Sequence, residues 1–139
     1  MNLEIKQRHL IEEFAKLDDW FDKYEYLIEL GTHMPSIKNK YKTQENTVAG
    51  CQSQLWIASE LEDGKVTFYA DSDSKITKGI IAVILRVVNH QTPQDIADSN
   101  LHFLDAIGLK SNLSPSRANG LTSIIKRIKQ LTTRYIEEQ

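Results

Sequence analysis

Residues 55–88 read LWIASELEDGKVTFYADSDSKITKGIIAVILRVV and hold two periodicities in succession. Leu55, Ile57 and Leu61 fall on one side of an alternating run, Trp56 and Ala58 on the other. Glu62-Asp63-Gly64 is a turn signal, and Val66, Phe68 and Ala70 alternate again after it, which predicts an antiparallel hairpin. From Ile76 to Val88 the period changes. Ile80, Ile81, Val83, Ile84, Leu85 and Val87 leave almost no polar face, so a buried central helix is expected from about Lys75 to Asn89, with Ser72 and Asp73 as candidate N-caps. Two strands alone are marginal, so the hairpin must pack on helices.

The flanking segments supply those helices. Ile11, Phe14, Leu17, Phe21 and Tyr24 recur at three- and four-residue steps, as one buried helical face requires. Asp18-Asp19 is placed to cap a second helix carrying Trp20, Tyr24, Leu27 and Ile28, with Gly31 as its left-handed stop and Pro35 beyond it. Residues 36–44 are polar and lysine-rich, a short helical turn running into a loop. Val48 is placed to begin a further strand, broken at Gly50. Thr92-Pro93 and Ser114-Pro115 are cap-plus-proline starts for two later helices, and Leu101 to Ile107 forms a short one stopped by Gly108. In the last helix Leu121, Ile124, Ile125, Ile128 and Leu131 face inward, while Lys126, Arg127, Lys129 and Arg134 form a solvated stripe. The expected class is α+β, a small antiparallel sheet packed against a group of helices, in a single domain over residues 1–139.

Composition narrows the function. A chain of 139 residues is one domain. Its net charge of −2 gives no general electrostatic reason to bind nucleic acid or an anionic membrane. The most apolar stretch carries Lys78 and Arg86 and is too short for a membrane span, and the N-terminus has no signal-peptide core. A cytoplasmic protein is expected. The four histidines His9, His33, His90 and His102 show no metal-ligand spacing, and one cysteine holds neither a disulfide nor a thiolate zinc site. No metal and no cofactor are expected. Gly79, Gly108 and Gly120 are isolated, so there is no phosphate loop.

Cys51 is the candidate for chemistry. It follows Gly50 and precedes Gln52-Ser53, at a loop tip just before a strand, where a buried small hydrophobe and a reactive thiol are equally compatible with the local sequence. No cation adjoins it, so thiolate activation would have to come from the fold or a partner. Asp71 and Asp73 read either as paired carboxylates or, for Asp73, as a helix cap. Arg117 in the first turn of a helix is mildly unfavourable there, which suggests a task elsewhere or a surface ion pair.

Four segments fall in order within residues 13–129: the turn Gly31 to Pro35, Val48-Ala49-Gly50-Cys51-Gln52-Ser53-Gln54-Leu55-Trp56, the run Ala70 to Gly79, and the run Leu113 to Leu121. Together they resemble the SufE family of sulfur-acceptor proteins. The resemblance implies a SufE/IscU-like fold. It implies that Cys51 takes sulfane sulfur from the persulfide of a PLP-dependent cysteine desulfurase, SufS- or CsdA-like, stimulates that enzyme, and passes sulfur to iron–sulfur cluster assembly on a SufBCD-type scaffold. It further implies Gly50 as the pivot of the cysteine loop, Gln52 and Ser53 moving with the thiol, and Arg117 and Asp73 supporting the partner-facing surface. Cluster scaffolds of the IscU kind need three cysteines and this chain has one, so direct cluster assembly is not expected. Leu55 stands where the family usually has valine, and Asn112 where a histidine is frequent. Two other functions are open to the same residues: a binding module that regulates the desulfurase without carrying sulfur, and a free-standing cysteine hydrolase.

Overall fold

A computed structural model describes residues 2–51 and 53–138. The chain runs through helices α1 (Leu3–Ala15) and α2 (Trp20–Thr32), two 3-10 turns (Asn39–Tyr41 and Gln44–Asn46), and strands β1 (Leu55–Glu62) and β2 (Lys65–Ser72). Helices α3 (Lys75–Val88), α4 (Pro93–Asp98), α5 (Phe103–Ala106), α6 (Leu109–Asn112) and α7 (Pro115–Glu137) follow. The α+β class expected from the two periodicities is the class observed.

The hairpin pairs Leu55 with Ser72 through Glu62 with Lys65, joined by Asp63 and Gly64 at φ +52° and +78°. Two successive positive φ values match the twist of the flanking strands, which is why an Asp-Gly pair sits there. On the inner face Leu55, Ile57, Val66, Phe68 and Ala70 are buried against the helices. The outer face is covered by the chain just before the cysteine. Tyr41 stacks on Tyr69 with centroids 5.0 Å apart, its hydroxyl donates to Glu60, and the Lys42 ammonium lies 5.3 Å from the Trp56 ring. Val48 does not start a strand. Its N–H donates to the Leu55 carbonyl at 2.9 Å, Thr47 forms an isolated bridge with Trp56, and the turn at Gly50 ends the pairing.

Helix α3 is the core: nine of its residues, from Ile76 to Val88, are buried. Its cap is Ser74, whose side chain accepts from the Thr77 N–H; Ser72 and Asp73 are engaged elsewhere. Helix α2 packs directly along it, and here the stop expected at Gly31 is corrected. Gly31 lies inside α2, which ends at Thr32 with His33 as its right-handed C-cap. A Cβ on Gly31 would stand 2.6 Å from the Gly79 nitrogen, and one on Gly79 would stand 2.2 Å from the Leu27 carbonyl oxygen. The two glycines let the backbones touch. Phe21 is a second correction: in phase with the buried face by spacing, it is 67% exposed, and the α2 core face is carried by Leu27, with Trp20, Tyr24 and Ile28 packed partly against it.

The basic stripe of α7 is only partly solvated. Lys129 is half-buried and its ammonium donates to the carbonyls of Ile96, Ala97 and Ser99, holding the end of α4, and Arg127 Nη2 donates to the Glu45 carbonyl at 3.0 Å. Lys126 and Arg134 are exposed as expected. No helix among the described residues is long and apolar enough to cross a membrane.

Candidate functional site

Cys51 sits between the sheet and the start of α7, and the fold holds its loop at both ends. Upstream is the Val48–Leu55 hydrogen bond. Downstream, Gln54 is clamped: its N–H donates to Asp73 Oδ1 at 3.1 Å, and its carbonyl accepts from Ser72 Oγ at 2.7 Å and from the Asp73 N–H at 3.3 Å. Asp73 is therefore neither the cap of α3 nor a partner for Asp71. Asp71 instead pairs with Lys78 at 3.4 Å and Lys42 at 4.0 Å. Among the described residues no cluster of three or more His, Cys, Asp or Glu is arranged to hold a metal ion.

Within this frame Gly50 has φ +86°, a conformation that side chains disfavour, and a Cβ there would also press on Ser123 Oγ at 2.4 Å. The thiol is half-buried. Its sulfur donates weakly to the Gly120 carbonyl at 3.8 Å, and a Cβ on Gly120 would stand 3.6 Å from it, in ordinary van der Waals contact with the sulfur. A small pocket of about 80 Å³ adjoins it, lined by Ser53, Thr77, Ile80, Arg117, Gly120 and Ile124 among others. Burial pushes the Cys51 thiol up from its ordinary value, which favours the protonated form.

Arg117 is on the pocket wall, on the first turn of α7 capped by Ser114. Its Nη1 donates to the Tyr24 hydroxyl at 2.6 Å, and the guanidinium lies 5.8 Å from the Tyr24 ring centroid. The fold thus brings Cys51, Ser53 and Arg117 to one pocket, while Gly50 and Asp73 lie outside its lining, Gly50 next to the cysteine and Asp73 bonded to Gln54 downstream of it. Gln52 falls outside the described residues. Asn112 is away from the pocket lining and its amide donates to the Gly108 carbonyl at 2.8 Å, closing the α6 turn. Gly120, Thr77, Ser123 and Tyr24 complete the surroundings. As single residues they carry no chemical signal; Thr77 and Gly120 fall inside the segments Ala70 to Gly79 and Leu113 to Leu121 that resemble the family, and that membership is their one signal.

The domain family described as "SufE: Fe-S metabolism associated domain" matches residues 8–132. The chain belongs to the SufE family. An uncharacterised SufE-like protein of Rhizobium meliloti (strain 1021) is 40% identical over 125 residues, covering 86% of this chain and 89% of the relative. Another, from Rhizobium etli, is 38% identical over 126 residues, covering 87% and 85%. The solution structure of a hypothetical protein from Thermus thermophilus superposes with a TM-score of 0.79 over 95% of this chain and 96% of that one, at 19% identity, so the likeness is one of fold. The SufE domain associates this chain with iron–sulfur metabolism, as the cysteine motif implied.

Proposed function

We propose that this SufE protein is a sulfur acceptor that works with a PLP-dependent cysteine desulfurase, SufS- or CsdA-like, and carries persulfide sulfur on Cys51 towards a SufBCD-type scaffold. The observation that carries the reading is the setting of the lone thiol: half-buried against the Gly120 backbone, on a loop with a positive-φ glycine pivot and fastened at its two ends. The Cys51 thiolate attacks the outer sulfur of the desulfurase persulfide. The new bond joins Cys51 Sγ to that sulfur, the old sulfur–sulfur bond breaks, and its electron pair leaves on the desulfurase cysteine thiolate. The Cys51 proton goes to solvent or to the departing thiolate. No electrons are gained or lost overall, and the acceptor needs no cofactor for the exchange. With no second thiol in the chain, no internal disulfide can discharge the persulfide.

Each neighbouring residue has a defined part in this reading. Burial keeps Cys51 a thiol in the free protein, so activation belongs to the partner-bound state. Rotation about Gly50 takes Sγ out of the pocket, giving up its weak bond to the Gly120 carbonyl and its packing against the core, with Ser53 following, while the Asp73 clamp keeps the loop's downstream root in place. Arg117, already exposed at the pocket rim, faces the partner.

The test is intact-protein mass spectrometry after incubation with a desulfurase and free cysteine without reductant. One or more added sulfur atoms are expected, confined to the peptide carrying Cys51 and removed by a thiol reductant. Cys51→Ser is expected to lose both the adduct and the stimulation of the desulfurase. Stimulation retained by Cys51→Ser would overturn the carrier reading in favour of a regulatory module.

A further inference from the structure

The most exposed large apolar side chain among the described residues lies one helical turn from the tyrosine that engages Arg117 at the thiol pocket. Phe21 is 67% exposed, whereas the two other exposed large apolar residues among the described ones, Ile5 and Leu61, are each at 38%. It contributes little to the fold: Asp19 caps α2 by accepting from the Asp22 N–H at 2.9 Å, and the core face of that helix is supplied by other residues. One helical turn on is Tyr24, three residues away and so adjacent on the helix surface. Tyr24 carries Arg117 on its hydroxyl and ring, and Arg117 lines the Cys51 pocket. An exposed phenyl, a half-buried phenol and an exposed guanidinium therefore follow one another towards the pocket that Cys51 lines. Aromatic rings and arginine are the side chains enriched at the energetic centres of protein interfaces.

We propose that Phe21 is the apolar anchor of the docking surface, entering an apolar socket on the protein that donates sulfur to Cys51. This rests on the acceptor reading above. That chemistry also names the occupant. A donor whose persulfide reaches Cys51 Sγ must close over its pocket, which Arg117 lines while bonded to the Tyr24 hydroxyl, and Phe21 is one helical turn from Tyr24. A second copy of this chain on the same patch would instead cover the thiol and block transfer.

The experiment compares wild type, Phe21→Ala and Phe21→Leu by calorimetric titration against a desulfurase that persulfidates wild-type Cys51, with steady-state kinetics on the same samples. Phe21→Ala is expected to raise Kd and the KM for the acceptor by about tenfold or more, the loss seen on truncating a buried anchor, with kcat unchanged. Phe21→Leu, which keeps apolar bulk, is expected to retain most of the affinity. All three are expected to melt together and to take sulfur equally from a small-molecule persulfide, since neither property involves the socket. A folded Phe21→Ala variant with unchanged Kd overturns the proposal. So does sedimentation showing that wild type self-associates and Phe21→Ala does not, at equal affinity for the donor. Failure of the acceptor reading is read separately, as absence of the Cys51 sulfur adduct in the wild type.

Discussion

At the scale of single residues, Cys51 is balanced between protection and reactivity. Half-burial holds the thiol above its ordinary range, so at neutral pH the free protein keeps it protonated. The rate of alkylation by iodoacetamide is therefore expected to rise with pH along a curve whose midpoint lies above that of a free cysteine in the urea-unfolded chain. Binding of a desulfurase that draws the loop out is expected to move the midpoint down; a stopped-flow pH series with and without partner checks both. The glycine–cysteine pair and its motif were legible in the sequence. The thiol's surroundings were not, because Gly120 lies 69 residues away and announces nothing except the absence of a side chain.

At the scale of elements, the contact between α2 and α3 is set by Gly31 and Gly79. Replacing Gly79 by alanine would place a methyl group 2.2 Å from the Leu27 carbonyl oxygen, backbone that cannot yield without separating the helices. Gly79→Ala is expected to cost about 3 kcal/mol, the range of overpacked cores. Gly64→Ala, at φ +78° with nothing within 4 Å, is expected to cost about 1 kcal/mol from backbone conformation alone. Urea denaturation of the two variants, with equal m-values, measures the contrast. The same contact explains why Gly31 reads as a helix end and is not one: the residue type suits a C-cap, but the partner backbone needs it in mid-helix. The start of α3 teaches the converse. Ser72, Asp73 and Ser74 all suit an N-cap by type, and the choice fell to Ser74 because Gln54 engages the other two.

At the scale of the whole molecule, long-range polar contacts join segments that pack through apolar surface. Glu13 on α1 takes the guanidinium of Arg86 on α3 at both carboxylate oxygens, and Tyr26 of α2 donates to it at 2.8 Å. These bonds, the arginine's foremost, outweigh burial and hold the Glu13 carboxyl below the ordinary carboxylate range. A carboxylate lowered by folding stabilises the native state fully above its unfolded pKa, near about 4.3, and loses that contribution as pH falls through the folded value. Wild type is accordingly expected to lose stability more steeply than Glu13→Gln below about pH 4.3, the two curves converging in acid. Urea unfolding from neutral pH down into the acid range reads the difference.

Local rules were enough for much of this protein. Alternation and an Asp-Gly turn specify the hairpin, a nearly all-apolar helical run specifies the buried α3, and cap-plus-proline pairs specify where α4 and α7 begin, because each depends on residues within a few positions of one another. The four ordered segments likewise carry the family together, each a short stretch of chain. What the tertiary structure decided are matters of partner choice: Asp73 as a clamp on the cysteine loop, Lys129 and Arg127 turned to backbone carbonyls, two glycines committed to a helix crossing, and Phe21 left in solvent. Periodicity says that a face is apolar but not what covers it, and residue type says that a group can bond but not which group the topology brings within reach.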